Sequence, residues 1–362
     1  MIKAPFPYMG GKSRIAAEVW RRFGDVPNYI EPFFGSGAVL LGRPPFDGNR
    51  IETVNDIDGH LANFWRATQA APDEVAYYAD WPVSELDLHA RGDWLYYRPD
   101  AREWAERLRA DPDYYDPKSA GWWVWFASCW IGGLPAIPEP GDAGQTVYGQ
   151  GDAGTGVARQ LPHLGDAGNG VARQRPHLGS GGQGNGVHGR VSRQLPATNV
   201  GGVAAYANGT PRRAHLTVYF AQLAARLERV RVCCGDWNRV TGPSVTWRHG
   251  VTAVFFDPPY SHAERNNQLY SHDNDISADV REWAIANGDN PLMRIALAGY
   301  DTEHGGHMPD GWQAHAWKAA GGYGSQGNAR GRQNAGREVV WFSRHCINPI
   351  DTLPLFANGV TQ

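Results

Sequence analysis

The chain has 362 residues, a formal net charge of −3, 42% hydrophobic residues and 20% charged residues. This composition is apolar enough to build a core and excludes a disordered chain, and Lys+Arg 34 against Asp+Glu 37 excludes a uniformly basic polymer binder while leaving room for a local basic patch. Cys129, Cys233, Cys234 and Cys346 form no CxxC pair, which argues against a zinc ribbon or a disulfide framework and fits a reducing compartment.

Lys12 to Phe23 has helical spacing through Ile15, Val19 and Trp20. Asn28 to Glu31 reads as a short strand that runs into Pro32-Phe33-Phe34-Gly35-Ser36-Gly37 and then an apolar helix from Ala38. Ile51 to Val54 is a second strand ending at Asn55-Asp56-Ile57-Asp58, and Leu61 to Thr68 is helical. This alternation predicts an α/β fold with a mostly parallel sheet. Pro72 to Trp130, rich in Trp, Tyr and charge, predicts several short helices.

Gly141 to Gly202 holds 17 of the 45 glycines, so it reads as loop rather than core. Within it GDAGTGVARQLPHL (Gly151 to Leu164) is followed by GDAGNGVARQRPHL (Gly165 to Leu178), identical at 12 of 14 positions. Two readings stand: a surface loop grown by duplication, or a nucleic-acid-contacting loop, because Arg159, Arg173, Arg175, Arg190 and Arg193 outnumber Asp152 and Asp166.

Regular patterning resumes near Arg212. Leu216, Phe220, Leu223 and Leu227 line one face of a helix, whose Arg212, Arg213, Arg226, Arg229 and Arg231 form either a solvated or a phosphate-contacting face. Val230 to Cys234 is a strand ending at Gly235-Asp236-Trp237, with Cys233 and Cys234 expected in the core. Val251 to Phe256 is a β-branched and aromatic strand ending at Asp257-Pro258-Pro259-Tyr260. Ile276 to Ala286 is helical, Leu292 to Ala298 is a buried strand, and Glu338 to Phe342 closes the sheet. The expected division is an α/β domain of residues 1–70 and 213–346, an insert of 71–212 containing the Gly-rich stretch 141–202, and a tail of 347–362. Met1 to Lys12 carries no apolar secretory core, and no apolar run approaches the ~20 residues of a membrane span, so a soluble, cytoplasmic protein is expected.

Gly10-Gly11-Lys12-Ser13 invites a phosphate-loop reading, but that motif needs a glycine where Phe6 stands and a buried strand before it. Phe33-Phe34-Gly35-Ser36-Gly37 follows a strand, and Asp56 ends the next one. A glycine turn there admits a ligand to the backbone, and the acid suits a ribose diol. This pattern fits a dinucleotide or S-adenosylmethionine, although Leu40 stands where a dinucleotide motif has its third glycine. Asp257-Pro258-Pro259-Tyr260 is the sharper signal. Its prolines fix the backbone and remove two N–H donors. Asp257 and the Pro258 carbonyl are then suited to accept both hydrogens of an exocyclic amine while Tyr260 stacks on the ring. His304-Gly305-Gly306-His307 reads as a solvent loop rather than a metal site, because no third ligand stands at a recognisable spacing.

The order GGK, EPFFGSG, NDID, GDW and DPPY resembles the Dam-type N6-adenine-specific DNA methyltransferases. The resemblance covers roughly residues 4–70 and 213–345. It implies a Rossmann-like S-adenosylmethionine-dependent fold with a target-recognition insert. It also implies cofactor contacts at Tyr8, Lys12, Glu31, Phe34, Gly35, Gly37, Asp56, Asp236, Trp237 and Asp257, and a catalytic set of Asp257, Pro258, Pro259 and Tyr260, with no metal. Tyr8 stands where the family has Trp, and the recognition region matches only through Trp125-Phe126 to Ile131-Gly132-Gly133-Leu134.

The implied reaction is methyl transfer to adenine N6 in double-stranded DNA, with the base flipped out of the helix. The sequence says nothing of a cognate restriction endonuclease. Three alternatives stay open. An N4-cytosine methyltransferase would use the same amine chemistry. A dehydrogenase would share the glycine turn but leave DPPY without a role. An inactive DNA-binding relative is disfavoured because every catalytic position is filled.

Overall fold

The computed structural model describes residues 2–6, 8, 11–130, 134–135, 212–259, 276–317 and 338–348. In chain order it contains α1 (Ala16–Phe23), β1 (Asn28–Glu31), α2 (Ala38–Leu41), β2 (Ile51–Asp56), α3 (Gly59–Ala70), α4 (Pro72–Ala79), α5 (Glu85–Tyr97), α6 (Ala101–Ala110) and α7 (Pro117–Cys129). The helix Arg212–Leu227, β3 (Val230–Cys234), β4 (Thr252–Phe256), the helix Ile276–Asn287 and β5 (Met293–Tyr300) follow. The helical turn Asp301–His304, β6 (Gln313–Ala316) and β7 (Glu338–Phe342) complete it. These elements divide into two compact units, Gly10–Ile57 with Arg229–Gln362, and Ile2–Met9 with Asp58–Glu228.

The first unit contains a seven-stranded sheet in the order β3-β2-β1-β4-β5-β7-β6. β1 pairs in parallel with β2 and β4, β2 with β3, and β4 with β5. β7 runs antiparallel to both β5 and β6. This is the expected Rossmann-like, mostly parallel sheet. β1 and β4 are buried at every position, as central parallel strands are. One apolar layer joins Ile30, Val254, Phe256, Ile295 and Leu297 to Val280 and Ala284 of the helix Ile276–Asn287.

The connections follow local chemistry. α1 ends at Gly24, whose φ of 62° places it in the left-handed region and whose N–H returns to the Trp20 carbonyl. β2 runs through Asp56 rather than stopping at Val54, because Asn55 and Asp56 pair in register with Cys233 and Cys234. Cys234 is buried as expected, whereas Cys233 is half-buried. β6 was not legible: Gln313-Ala314-His315-Ala316 is four residues long and alternates half-buried and exposed positions. The solvent loop expected at 304–307 is instead a helical turn. His304 is fully buried, its ring edge-on to Trp341 at 5.3 Å, in space left by Gly299, where a Cβ would collide with the His304 ring.

The second unit is helical and groups α3 and the helix Arg212–Leu227 with α4 to α7. Asp58 caps α3 by accepting from the His60 N–H at 2.8 Å, and Asp116 caps α7 by accepting from the Ser119 N–H at 3.0 Å. Asn63 ties the two helices, donating to the Asp116 carbonyl at 2.9 Å and accepting from the Asp116 N–H at 2.7 Å. Leu216, Phe220, Leu223 and Leu227 are all buried, as their spacing predicts.

Gly121 in α7 is the close-approach point of α4. A Cβ there would sit 2.8 Å from the Val75 carbonyl oxygen and 3.0 Å from the Ala79 nitrogen, and would also meet the Tyr78 Cβ. The Val75 oxygen and the Ala79 nitrogen are backbone atoms that cannot swing aside. Gly121→Ala is therefore expected to destabilise by about 1–3 kcal/mol through overpacking, despite a helix-propensity gain of up to ~1 kcal/mol. Denaturant unfolding checks this, and an unchanged or raised midpoint would contradict it.

The expected tail, the repeat, Ile131 to Gly133 and Tyr260 lie outside the described residues, apart from Ile347 and Asn348. Among the described residues no helix is long and apolar enough to cross a membrane.

Candidate active site

Parallel α/β sheets present ligand sites at the carboxyl ends of their strands, where the strand order reverses. Here that point is β1, which lies between β2 and β4. The sequence-derived residues Glu31, Asp56, Asp236 and Asp257 stand at or just beyond the carboxyl ends of β1, β2, β3 and β4.

The turn after β1 is tightly specified. Gly35 and Gly37 have φ of 48° and 66°, left-handed values that side-chain-bearing residues rarely adopt. The Phe34 N–H donates to the Asn55 carbonyl at 2.9 Å, and the Gly37 N–H donates to the Phe34 carbonyl at 2.8 Å. The Gly35 N–H donates to Asp56 Oδ2 at 2.9 Å. The glycine turn and the second-strand acid, two separate signals in the sequence, are thus one hydrogen-bonded unit.

Asn55 extends that unit to β3. Its buried amide donates to the Pro32 carbonyl at 3.1 Å and to the Gly235 carbonyl at 2.9 Å. The Gly235 N–H returns to the Asp56 carbonyl at 3.0 Å. Three strand ends are therefore laced by one side chain, and the lacing holds Asp236 and Trp237 beside Asp56. Asp236 is exposed and caps the following turn by accepting from the Asn238 N–H at 3.0 Å. Trp237 lies edge-on to Phe256 at 6.1 Å, against the last strand residue before Asp257.

Asp257 meets Lys12. The Lys12 Nζ is 2.8 Å from Asp257 Oδ2 and 3.9 Å from Glu338 Oε2, with the three side chains 4%, 24% and 8% exposed respectively. The Trp317 ring lies 5.7 Å from the same ammonium. Pro258 is buried and Pro259 half-buried. Lys12, expected on the cofactor side, is thus in contact with the expected catalytic acid. Tyr8 belongs to the second unit, where it is 40% exposed and edge-on to Phe6 at 6.0 Å.

Glu31 is buried and accepts from the Tyr29 hydroxyl at 2.8 Å. Its carboxyl is pushed well above the usual range, chiefly by burial and further by the charges of Asp257 and Asp56, against the lowering effect of the Tyr29 hydrogen bond. Burial thus favours the neutral Glu31 carboxyl, and the negative charge at the strand ends falls to Asp56, Asp236 and Asp257. That field repels an anionic pyrophosphate and suits a ligand carrying positive charge, or a reaction in which positive charge develops. Among the described residues no group of three His, Cys, Asp or Glu is placed to hold a metal ion.

Sequence reading missed two participants. Asn55 was read only as a strand terminus, and nothing in its spacing shows that it clasps two loops. Glu338 carried a signal that was available, since an acid opening the otherwise apolar run Glu338-Val339-Val340-Trp341-Phe342 needs a buried partner.

The sheet order defines a Rossmann-like mixed α/β fold, with acids and a glycine turn at its strand ends. Residues 8–115 match the family model of the D12 class N6 adenine-specific DNA methyltransferases. That stretch, under a third of the chain, carries Tyr8, Lys12, the glycine turn and Asp56, so this part of the chain is similar to a family of enzymes that act on DNA. No curated protein matches the chain.

Proposed function

We propose that the protein uses S-adenosylmethionine to methylate adenine N6 in double-stranded DNA, on a base flipped into a pocket formed by Asp257, Pro258, Pro259 and Tyr260. The observation that carries this reading is the convergence of Lys12, Asp257 and the laced strand ends at the point where strand order reverses.

The residues present fit the cofactor. The left-handed glycine turn brings backbone close to a ligand, and Asp56 offers a carboxylate to a ribose diol. Asp236 and Trp237 suit an adenine edge and face. Lys12, Glu31 and Phe34 border the same strand ends. When bound, S-adenosylmethionine supplies an electrophilic methyl group on a sulfonium. The acid-rich field favours that cation and disfavours a dinucleotide, which sets the dehydrogenase reading aside.

The chain's own work lies at the amine. The N6 lone pair is delocalised into the adenine ring, so the amine is a weak nucleophile. Asp257 and the Pro258 carbonyl accept its two hydrogens and turn the nitrogen towards a tetrahedral geometry. The Asp257 carboxylate stabilises the positive charge that develops as nitrogen attacks. Tyr260 replaces the stacking that the flipped base loses. Fixed relative placement of the reacting groups supplies much of the remaining acceleration. Residues 1–70 and 213–346 carry this chemistry, and the insert 71–212 reads the target. Sequencing of modified bases in DNA from cells expressing the protein tests the proposal. Methylated adenine at one short recurrent sequence is expected, and DNA without modified adenine would contradict it.

A further inference from the structure

We propose that Glu338 is a positioning residue for methyl transfer: by sharing the Lys12 ammonium with Asp257, it keeps Asp257 from being neutralised by that cation. The inference rests on the reading of Asp257 as the acid that meets the amine.

Three ionic side chains from distant parts of the chain converge here. Lys12 precedes α1, Asp257 ends β4, and Glu338 opens β7. The ammonium is 2.8 Å from Asp257 and 3.9 Å from Glu338, and it is almost wholly removed from water. The Glu338 backbone is fixed from two directions, by register pairing with Tyr300 of β5 and by accepting the Trp317 N–H at 3.0 Å. Its carboxylate is therefore presented from a rigid strand rather than a mobile loop.

One carboxylate is enough to compensate a buried ammonium. A closed one-to-one pair would also quench the charge that Asp257 needs. Each positive charge developing at the amine would then meet a neutral ion pair. With Glu338 as a second acceptor, the cluster of Lys12, Asp257 and Glu338 carries a net negative charge, and the Lys12 field is divided between two acids. Asp257 stays oriented by Lys12 yet remains an effective anion towards the amine. Asp56 adds charge of the same sign from β2, whereas burial favours the neutral form of the Glu31 carboxyl.

The test uses the full chain with Glu338→Gln and Glu338→Asp, measuring kcat, KM for duplex DNA and for S-adenosylmethionine, and melting temperature. Glu338→Gln keeps the shape and removes the charge. Its kcat is expected to fall by about tenfold, less than the roughly 100-fold to 1,000-fold cost of losing a group that touches the reacting atoms, because Glu338 acts through Lys12, with both KM values and the melting temperature close to wild type. Glu338→Asp restores the charge one methylene further back and is expected to recover part of the loss. Wild-type kcat in Glu338→Gln overturns the proposal. So does a loss shared by KM and melting temperature, which marks a structural role, or an Asp variant no better than Gln. If the Gln variant does not fold, the Asp variant decides: reduced kcat at unchanged KM supports the proposal and wild-type kcat overturns it. Full turnover in Asp257→Ala would sink the underlying reading of the amine site. An inactive Asp257→Ala beside a fully active Glu338→Gln would sink only the role of Glu338.

Discussion

Asp257→Ala is expected to abolish methyl transfer while largely keeping S-adenosylmethionine affinity. The side chain ends β4, the strand paired with the β1 switch point, and is the closest acid to Lys12 at 2.8 Å. In the proposed reaction it does two things at once: it accepts a hydrogen from the amine and faces the charge forming on nitrogen. Loss of one preorganised group of this kind typically costs about 100-fold to 1,000-fold in turnover, or roughly 3–4 kcal/mol of barrier. The fold should survive the change, because the Lys12 ammonium left behind still has the Glu338 carboxylate 3.9 Å away. Single-turnover kinetics with calorimetric cofactor binding separates the two effects. More than about a tenth of wild-type turnover, ~1.4 kcal/mol of barrier, would remove Asp257 from the chemistry. Lost cofactor affinity with an unchanged chemical step would move it to the cofactor site alone.

Asp56→Ala should have the largest effect on cofactor binding. The carboxylate has two tasks in this structure. It accepts from the Gly35 N–H at 2.9 Å, which fixes the glycine turn, and it stands at the strand end where a ribose diol is expected. Hydrogen bonds to charged groups are worth roughly 1.5–3 kcal/mol each, so losing the ribose contacts and loosening the turn together should weaken S-adenosylmethionine binding by about 100-fold or more. Asp56→Asn separates the tasks. Its amide oxygen still accepts from Gly35 while the charge is lost, so its affinity should fall between the wild type and the Ala variant. Calorimetry that finds unchanged affinity in Asp56→Ala would place the ribose elsewhere. An Asn variant as weak as the Ala variant would leave the charge, rather than the turn, as the whole effect.

Much of the fold was legible because strands buried on both faces advertise themselves. Thr252-Ala253-Val254-Phe255-Phe256, paired in parallel, and Glu338-Val339-Val340-Trp341-Phe342, paired antiparallel, are mostly apolar runs and are buried at every position. The helix Arg212–Leu227 was equally plain from its buried stripe. β6 was hidden because a four-residue edge strand buries only alternate positions. The expected helix through Arg231 stops at Leu227 because β3 claims Val230 onwards for pairing with β2. His304 was misplaced for another reason: Gly305 and Gly306 suggested a loop, whereas Gly299 on β5 provides the space that buries the ring.

The site was legible residue by residue but not as a network. Glycine turns, a strand-end acid and DPPY are local patterns, so each could be found alone. The contacts that turn them into one arrangement are long-range: Gly35 to Asp56, Asn55 to Gly235, and Lys12 to Asp257 and Glu338. No periodicity encodes a pairing between the segment before α1 and two strands near the far end of the chain. It is set by the strand order, which places β4 beside β1 and β7 beside β5.

The most direct measurement is nucleoside analysis of a purified reaction. The protein is incubated with methyl-labelled S-adenosylmethionine and unmethylated duplex DNA, the DNA is digested, and the labelled nucleoside is identified. The expected result is label in N6-methyldeoxyadenosine from the wild type and none above background from Asp257→Ala. Label in N4-methyldeoxycytidine, equal labelling by the two proteins, or no transfer by the folded wild type on a mixed-sequence genomic substrate would contradict it.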